Sequence, residues 1–199
     1  MSTLHTATVV IVPGLRDHVA EHWQTLLAER LPNTRTVEPL HHDKHSLPAR
    51  VAALDAVVAD TTGPVILVAH SAGVMITVAW AQRHHHDRIA GALLATPPDL
   101  TVALPAGYPT PEQLRDNGWY PTPRNRLRFP AIVAASTNDP LCRYDRAATL
   151  AQHWGARLVD VGPVGHLNPA AGYGYWPRAE DLLRELTHAP QPRPVPVPA

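Results

Sequence analysis

Five short apolar runs rich in β-branched residues punctuate the chain, at Thr8 to Val12, Val65 to Ala69, Ile89 to Ala95, Ala131 to Ser136 and Arg157 to Val161. Runs of this length with little polar alternation predict strands covered on both faces. A weaker run at Thr34 to Glu38 is poor in apolar residues and is expected at or near a sheet edge. Between the runs the spacing turns helical. From Val19 to Leu31, the residues Val19, Trp23, Leu26, Leu27 and Leu31 share one face. Pro48 suits an early helix position ahead of Val51, Leu54, Val57 and Val58, and Ala147 to Trp154 and Pro177 to Leu186 supply two more amphipathic segments. Strands alternating with helices imply βαβ units, hence a mostly parallel six-stranded sheet wrapped on both faces.

Two stretches break this rhythm, and the prolines gather in both. From Pro97 to Pro130 the chain is too long and too Pro-punctuated for a simple connection, so it is expected to be a structured loop or short lid that shapes a pocket. The end, "HAPQPRPVPVPA", has no core-facing pattern. It reads as an extended polyproline-like tail, which leaves residues 1–188 as one folded domain and 189–199 as a flexible Pro-rich appendage. A total of 199 residues, 45% of them hydrophobic, is enough to bury one core without a metal or a disulfide framework.

Charge and cysteine content narrow the function. With 17 basic and 17 acidic residues the formal charge is +0, so no global field holds a polyanion and nucleic acid is not an expected partner. Cys142 is the only cysteine, which excludes an intramolecular disulfide and a cysteine-rich metal knuckle. The opening "MSTLHTATVVIVPG" lacks a basic n-region and a long apolar segment, and no later run approaches the ~20 apolar residues of a membrane span. The expectation is a cytoplasmic protein with no membrane partner.

The chemistry concentrates at "VILVAHSAGVMITVAWAQ", which passes from a predicted strand through Ala69-His70-Ser71-Ala72-Gly73 into an apolar helix pattern. That is the layout of a nucleophile elbow, a strained turn that needs small residues two before and two after the serine. Gly73 meets the requirement, while Ala69 stands where the usual motif has glycine. The bland alternative is a serine that caps the helix. A serine hydroxyl also needs a base, and the base an orienting carboxylate, in the chain order Ser, Asp, His. Asp139 follows the strand "AIVAAS" in "STNDP", and His166 follows "RLVDV" in "GPVGHLN". Both positions lie beyond the carboxyl end of a strand, the edge where ligands bind in parallel sheets.

Alternatives stand beside these. Asn-Asp-Pro is good turn chemistry on its own account, Asp99 in "TPPDL" is a rival acid, and His166 is one of 13 histidines. An oxyanion hole needs two backbone amides. Ala72, after the serine, offers one, and Leu15 in "VIVPGLRDH" the other, with Gly14 letting the backbone pass close to substrate. For that loop to meet Ser71, the first and third strands must be neighbours, giving the order 2-1-3-4-5-6.

These residues resemble the compact α/β-hydrolase family of retinoblastoma-binding protein 9 and the bacterial YdeN-like proteins. The markers are "VPGLRDHVAEHWQ", "VAHSAG", "STNDP" and "GHLNPAAGYGYWP", four blocks in the family's order along nearly all of the folded part. The resemblance implies a minimal α/β-hydrolase fold without a large lid domain and a triad of Ser71, Asp139 and His166, with Asp139 preferred over Asp99. The Leu-x-Cys-x-Glu motif behind the family's name is missing, because Leu141-Cys142-Arg143 does not fit it, so that protein partner is not carried over. Trp23 and Trp176 match family positions and are expected in the core.

The implied chemistry is acyl transfer to water from a small-molecule ester, thioester or amide, with no cofactor and no metal. Activity should rise with pH as the histidine base becomes neutral. The segment around Tyr108, Trp119 and Tyr120 points to a small or medium acyl group with an apolar part. The rival classes are a catalytically silent binding module on the same fold and a haloperoxidase-like or transferase activity on the same triad. His41, His42, His45 and His84 to His86 read as solvated residues rather than metal ligands, and Cys142 as a half-buried thiol rather than a nucleophile. The sequence specifies no oligomeric state.

Overall fold

The computed structural model describes residues 6–188, so the Pro-rich segment 189–199 lies outside the described residues. Strands β1 (Thr8–Val12), β2 (Thr34–Thr36), β3 (Val65–His70), β4 (Ile89–Ala95), β5 (Ala131–Ala135) and β6 (Arg157–Asp160) form one sheet in the order β2-β1-β3-β4-β5-β6. Every neighbouring pair is parallel. The expected strand order and the adjacency of β1 and β3 are therefore found, with Ile11 opposite Val68 and Val12 opposite Ala69.

The long apolar runs reflect a sheet buried on both sides. Along β1, Val10 and Val12 face one hydrophobic cluster and Val9 and Ile11 the other; β3 divides the same way, Leu67 and Ala69 against Ile66 and Val68. Strand periodicity is present but invisible to polarity, since both phases are apolar. Helices α2 (Leu47–Ala59), α3 (Ala72–Arg83) and α5 (Tyr144–Trp154) cover one face, while α1 (Trp23–Arg30) and α6 (Arg178–His188) cover the other. Helix α4 (Pro111–Asp116) lies in the Pro-rich connection. The edge strands β2 and β6 are the least buried; the low apolar content of residues 34–38 predicted this for β2, whereas β6, expected to be covered on both faces, pairs on one side only and leaves Arg157 and Asp160 exposed.

One boundary moves for a clear reason. The helical spacing from Val19 predicts a helix four residues too early, because the loop after β1 extends to His22, whose ring accepts from the Gln24 amide at 3.2 Å. The buried face then carries Trp23, Gln24 and Leu27, with Leu26 only partly covered. Gln24 belongs there because its side chain donates to the carbonyls of Val12 (3.2 Å) and Val68 (2.9 Å). A polar residue with its donors satisfied costs little to bury. Among the described residues, no helix is long and apolar enough to cross a membrane.

Candidate active site

Strand β3 ends at His70 and α3 begins at Ala72, so Ser71 alone makes the turn, at φ 57° and ψ −126°. That conformation costs a non-glycine residue on the order of 1–3 kcal/mol, and the surroundings must hold it. Bonds from the Ser71 amide to the Ala95 carbonyl (3.0 Å) and from the Val74 amide to the Ser71 carbonyl (2.9 Å) do so. Gly73 lets the turn close. A Cβ there would sit 2.1 Å from the Val12 carbonyl oxygen and 2.8 Å from that of Pro13, so only glycine lets α3 rest against the loop after β1. Ala69 needs no such allowance, because its methyl group packs into the hydrophobic cluster with Val12 and Leu67.

The loops after β5 and β6 bring the other two side chains to the serine. His166 Nε2 lies 2.8 Å from Ser71 Oγ, and its Nδ1 lies 2.9 and 3.0 Å from the two Asp139 oxygens. Because a carboxylate only accepts, Nδ1 carries the proton and Nε2 faces the hydroxyl as acceptor. The His166 and Asp139 side chains are 5% and 2% exposed, so the pair is shielded from water. Asp139 Oδ1 also accepts from the Leu141 amide at 2.8 Å, which fixes the carboxylate plane. The two loops are stitched together: Asn138 Oδ1 accepts from the Gly165 amide (2.7 Å), and the Thr137 amide donates to the Gly162 carbonyl (3.0 Å).

Asp99, the rival acid, is directed elsewhere. Its carboxylate accepts from the Thr101 hydroxyl (2.6 Å) and amide (3.0 Å) and from Arg146 Nε (3.1 Å). Burial raises its carboxyl pKa, but the Thr101 and Arg146 bonds outweigh that and hold it below the ordinary range.

The loop after β1 reaches the serine from the other side. A Cβ on Gly14 would lie 3.2 Å from Ser71 Cβ and 3.6 Å from Ser71 Oγ, so the Gly14 backbone passes directly over the turn. Leu15 and Ala72, the two expected amide donors, both line the cleft in which Ser71 Oγ lies. That cleft opens to solvent, and its apolar lining includes Leu100, Leu104, Leu114, Trp119 and Leu141. The Pro-rich connection is therefore a packed wall of the cleft. Leu114 and Trp119 are buried at 2% exposure, Trp119 Nε1 donates to the His45 carbonyl at 2.6 Å, and Thr110 caps α4 through a reciprocal bond with Gln113. Tyr108 and Trp119 line the cleft, while Tyr120 packs against the core behind it.

A column of imidazoles behind His166 is the feature sequence reasoning missed. His70 donates from Nε2 to the His166 backbone carbonyl at 2.9 Å, and its ring centroid lies 4.9 Å from that of His166 and 4.6 Å from that of His22. Burial, reinforced by the neighbouring His166, lowers the His22 pKa to about 4. Burial and the adjacent His166 and His22 also push His70 well below the ordinary imidazole value. The one available signal was adjacency, His70 preceding the candidate serine.

The remaining candidates separate cleanly. Cys142 is buried, and burial with nearby Asp99 and Asp139 pushes its thiol up to about 12. Trp23 and Trp176 meet edge to face at 5.0 Å within the core. His41, His42 and His45 are exposed, but His84 and His86 are half-buried, lie parallel to the Trp80 ring and share the Asp55 carboxylate at 2.9 and 3.4 Å.

A parallel sheet in this order, with a serine on the β3–α3 turn and its histidine and acid on later strand-end loops, defines an α/β-hydrolase fold. The chain belongs to the serine hydrolase family, whose model, described as "Serine hydrolase", matches residues 9–185. Among solved structures it is similar to a YdeN-like hydrolase from Pectobacterium atrosepticum, at 30% identity over 93% of each chain with a TM-score of 0.76. The ydeN gene product of B. subtilis shares the fold at 20% identity, covering 90% of this chain and 98% of that one, TM-score 0.68. Est1E from Butyrivibrio proteoclasticus, solved with ferulic acid bound, shares it at 13% identity over 91% and 86%, TM-score 0.64. No curated protein matches the sequence significantly.

Proposed function

We propose that this family member hydrolyses a small or medium carboxylic ester, thioester or amide through an acyl-enzyme on Ser71. The observation that supports the reading is the continuous line of hydrogen bonds from Asp139 through His166 to Ser71, buried at its acid end and opening into the cleft at its hydroxyl end. In this reading His166 Nε2 takes the Ser71 proton as Oγ attacks the carbonyl carbon. The carbonyl electrons move onto oxygen, and the Leu15 and Ala72 amides donate hydrogen bonds to the oxyanion that forms. Collapse expels the alcohol, thiol or amine, which leaves with the proton from His166. Water then attacks the acyl group with His166 again as base, restoring the free serine and releasing the acid. No step calls for a cofactor.

The imidazole column favours this chemistry electrostatically. His166 becomes positive in each transition state, Asp139 stabilises that charge, and His22 and His70, held neutral by burial, do not oppose it. The test is labelling with a fluorophosphonate probe alongside hydrolysis of p-nitrophenyl acetate. Wild type should be labelled on Ser71, and Ser71→Ala should lose the label and about a thousandfold or more of turnover. Hydrolysis that survives the Ser71→Ala change, or a wild-type serine inert to the probe, overturns the reading.

A further inference from the structure

We infer that the acyl group this site accepts is uncharged at its α-carbon, a neutral apolar chain or ring rather than an aminoacyl group. The inference rests on the hydrolytic reading above and goes beyond it by naming what the cleft admits. Three observations carry it. Much of the lining that Ser71 shares is apolar, with Leu100, Leu104, Leu114, Trp119 and Leu141. The polar edge of Trp119 is turned away into its bond with the His45 carbonyl, so the indole presents only its apolar body to the cleft.

Among the described residues, no aspartate or glutamate lines the cleft. The aspartates on the loops after β4 and β5 are committed elsewhere: Asp139 to His166 and the Leu141 amide, Asp99 to Thr101 and Arg146. Among the described residues the one formally charged side chain on the lining is Arg16, which is exposed and whose guanidinium lies 5.8 Å from the Tyr108 ring centroid.

An α-ammonium is attached to the carbon next to the reacting carbonyl, so it enters the cleft wherever the carbonyl does. There it would lose water and, among the described residues, find no counter-charge. A methylene chain in the same place gains free energy with each carbon buried, equivalent to about fourfold in kcat/KM per methylene while room remains.

The experiment compares p-nitrophenyl esters at about pH 5.5, well below the α-amino value of about 7.7, which the adjacent ester lowers further, so that the amino group is protonated. The pairs are leucine against 4-methylpentanoate and phenylalanine against 3-phenylpropanoate, with acetate, butyrate and hexanoate as a length series. Each kcat/KM is divided by the ester's own uncatalysed hydrolysis rate, which removes the activation an ammonium gives its carbonyl. The expected result is a preference of about tenfold or more for each desamino ester, and a rise of about tenfold or more from acetate to hexanoate. In Leu104→Asp, which adds a carboxylate to the wall, the preference should shift toward the amino ester by about tenfold. A smaller desamino preference in wild type, or an unchanged ratio in folded Leu104→Asp, overturns the inference; if that variant does not fold, the wild-type comparison decides. Acetate hydrolysis that is lost in Ser71→Ala shows that the underlying reading holds even where the acyl preference fails. Absent hydrolysis of every ester in the series means that the underlying reading itself has failed.

Discussion

The loops after β4 and β5 each bury an aspartate at the same edge of the sheet, and only the second reaches the imidazole. They are even bonded to each other, the Asp99 amide donating to the Leu141 carbonyl at 2.9 Å. What separates them is their partners. The loop after β5 is tied to the histidine loop through Asn138 and Thr137, so Asp139 arrives at His166 Nδ1 already oriented by the Leu141 amide. The loop after β4 turns its carboxylate back on Thr101 and across to α5, where Arg146 holds it. Strand-end position nominates an acid, and the stitching between loops selects one. The same edge thus carries a carboxylate committed to the site and one committed to structure.

The strongest way to break this comparison is to neutralise the selected acid. Asp139→Asn keeps the shape but puts an amide against Nδ1, which favours the tautomer with its proton on Nε2, facing Ser71. Turnover of p-nitrophenyl acetate should fall by on the order of 10³–10⁴, with KM changed far less. A loss below tenfold would mean that another carboxylate, Asp99 first among them, orients the base.

A second contrast lies in pH. His22 is held neutral in the folded chain with a pKa of about 4, against about 6.5 when unfolded. The unfolded chain therefore takes up the proton first, so this contribution to stability is complete above about pH 6.5 and is lost as pH falls toward 4. His70 shifts in the same direction and adds to the same limb. Chemical denaturation at a series of pH values should show stability dropping by on the order of 3 kcal/mol across that window for His22 alone. His22→Asn keeps a good cap for α1 while removing the titration, and should flatten the limb. An unchanged slope in that variant means that His22 titrates normally in the folded chain.

How much of this was legible in the sequence follows from what each residue needs. Ser71 and Gly73 could be read because the turn is local, and glycine is demanded by the carbonyl of Val12 at 2.1 Å from where a Cβ would be. The strand order followed from requiring the Pro13-Gly14 loop to meet Ser71, and the sheet has that order. The start of α1 was misplaced because Gln24 buries its amide on sheet carbonyls, a tertiary bond that periodicity cannot register. The His22–His70 column was hidden for a like reason. Its rings lie 48 residues apart in sequence and meet only when α1 packs across the end of β3. Choosing between Asp99 and Asp139 needed the resemblance to a family, because the bonds from Gly165 and Arg146 that separate them span 27 and 47 residues.

The smallest effect sharpens the comparison from the other side. Asp99→Asn retains an acceptor for Thr101 but leaves Arg146, with only 21% of its side chain exposed, facing a neutral amide. Removing one partner of a partly buried pair costs on the order of 1–3 kcal/mol, less than for a fully enclosed pair because water still reaches the guanidinium. The carboxyl is held below its ordinary range in the folded chain, so its contribution is present above the unfolded value near 4 and disappears as pH falls through the folded one. Asp99→Asn should therefore be less stable than wild type at pH 7, and the gap should close in strong acid, below the His22 limb. Its turnover of p-nitrophenyl acetate should stay within tenfold of wild type, since His166 keeps Asp139. A variant that folds normally yet loses a hundredfold in turnover would show that the loop after β4 holds the site's acid loop in place through the Leu141 carbonyl, so that structural and chemical carboxylates at this edge act as one unit.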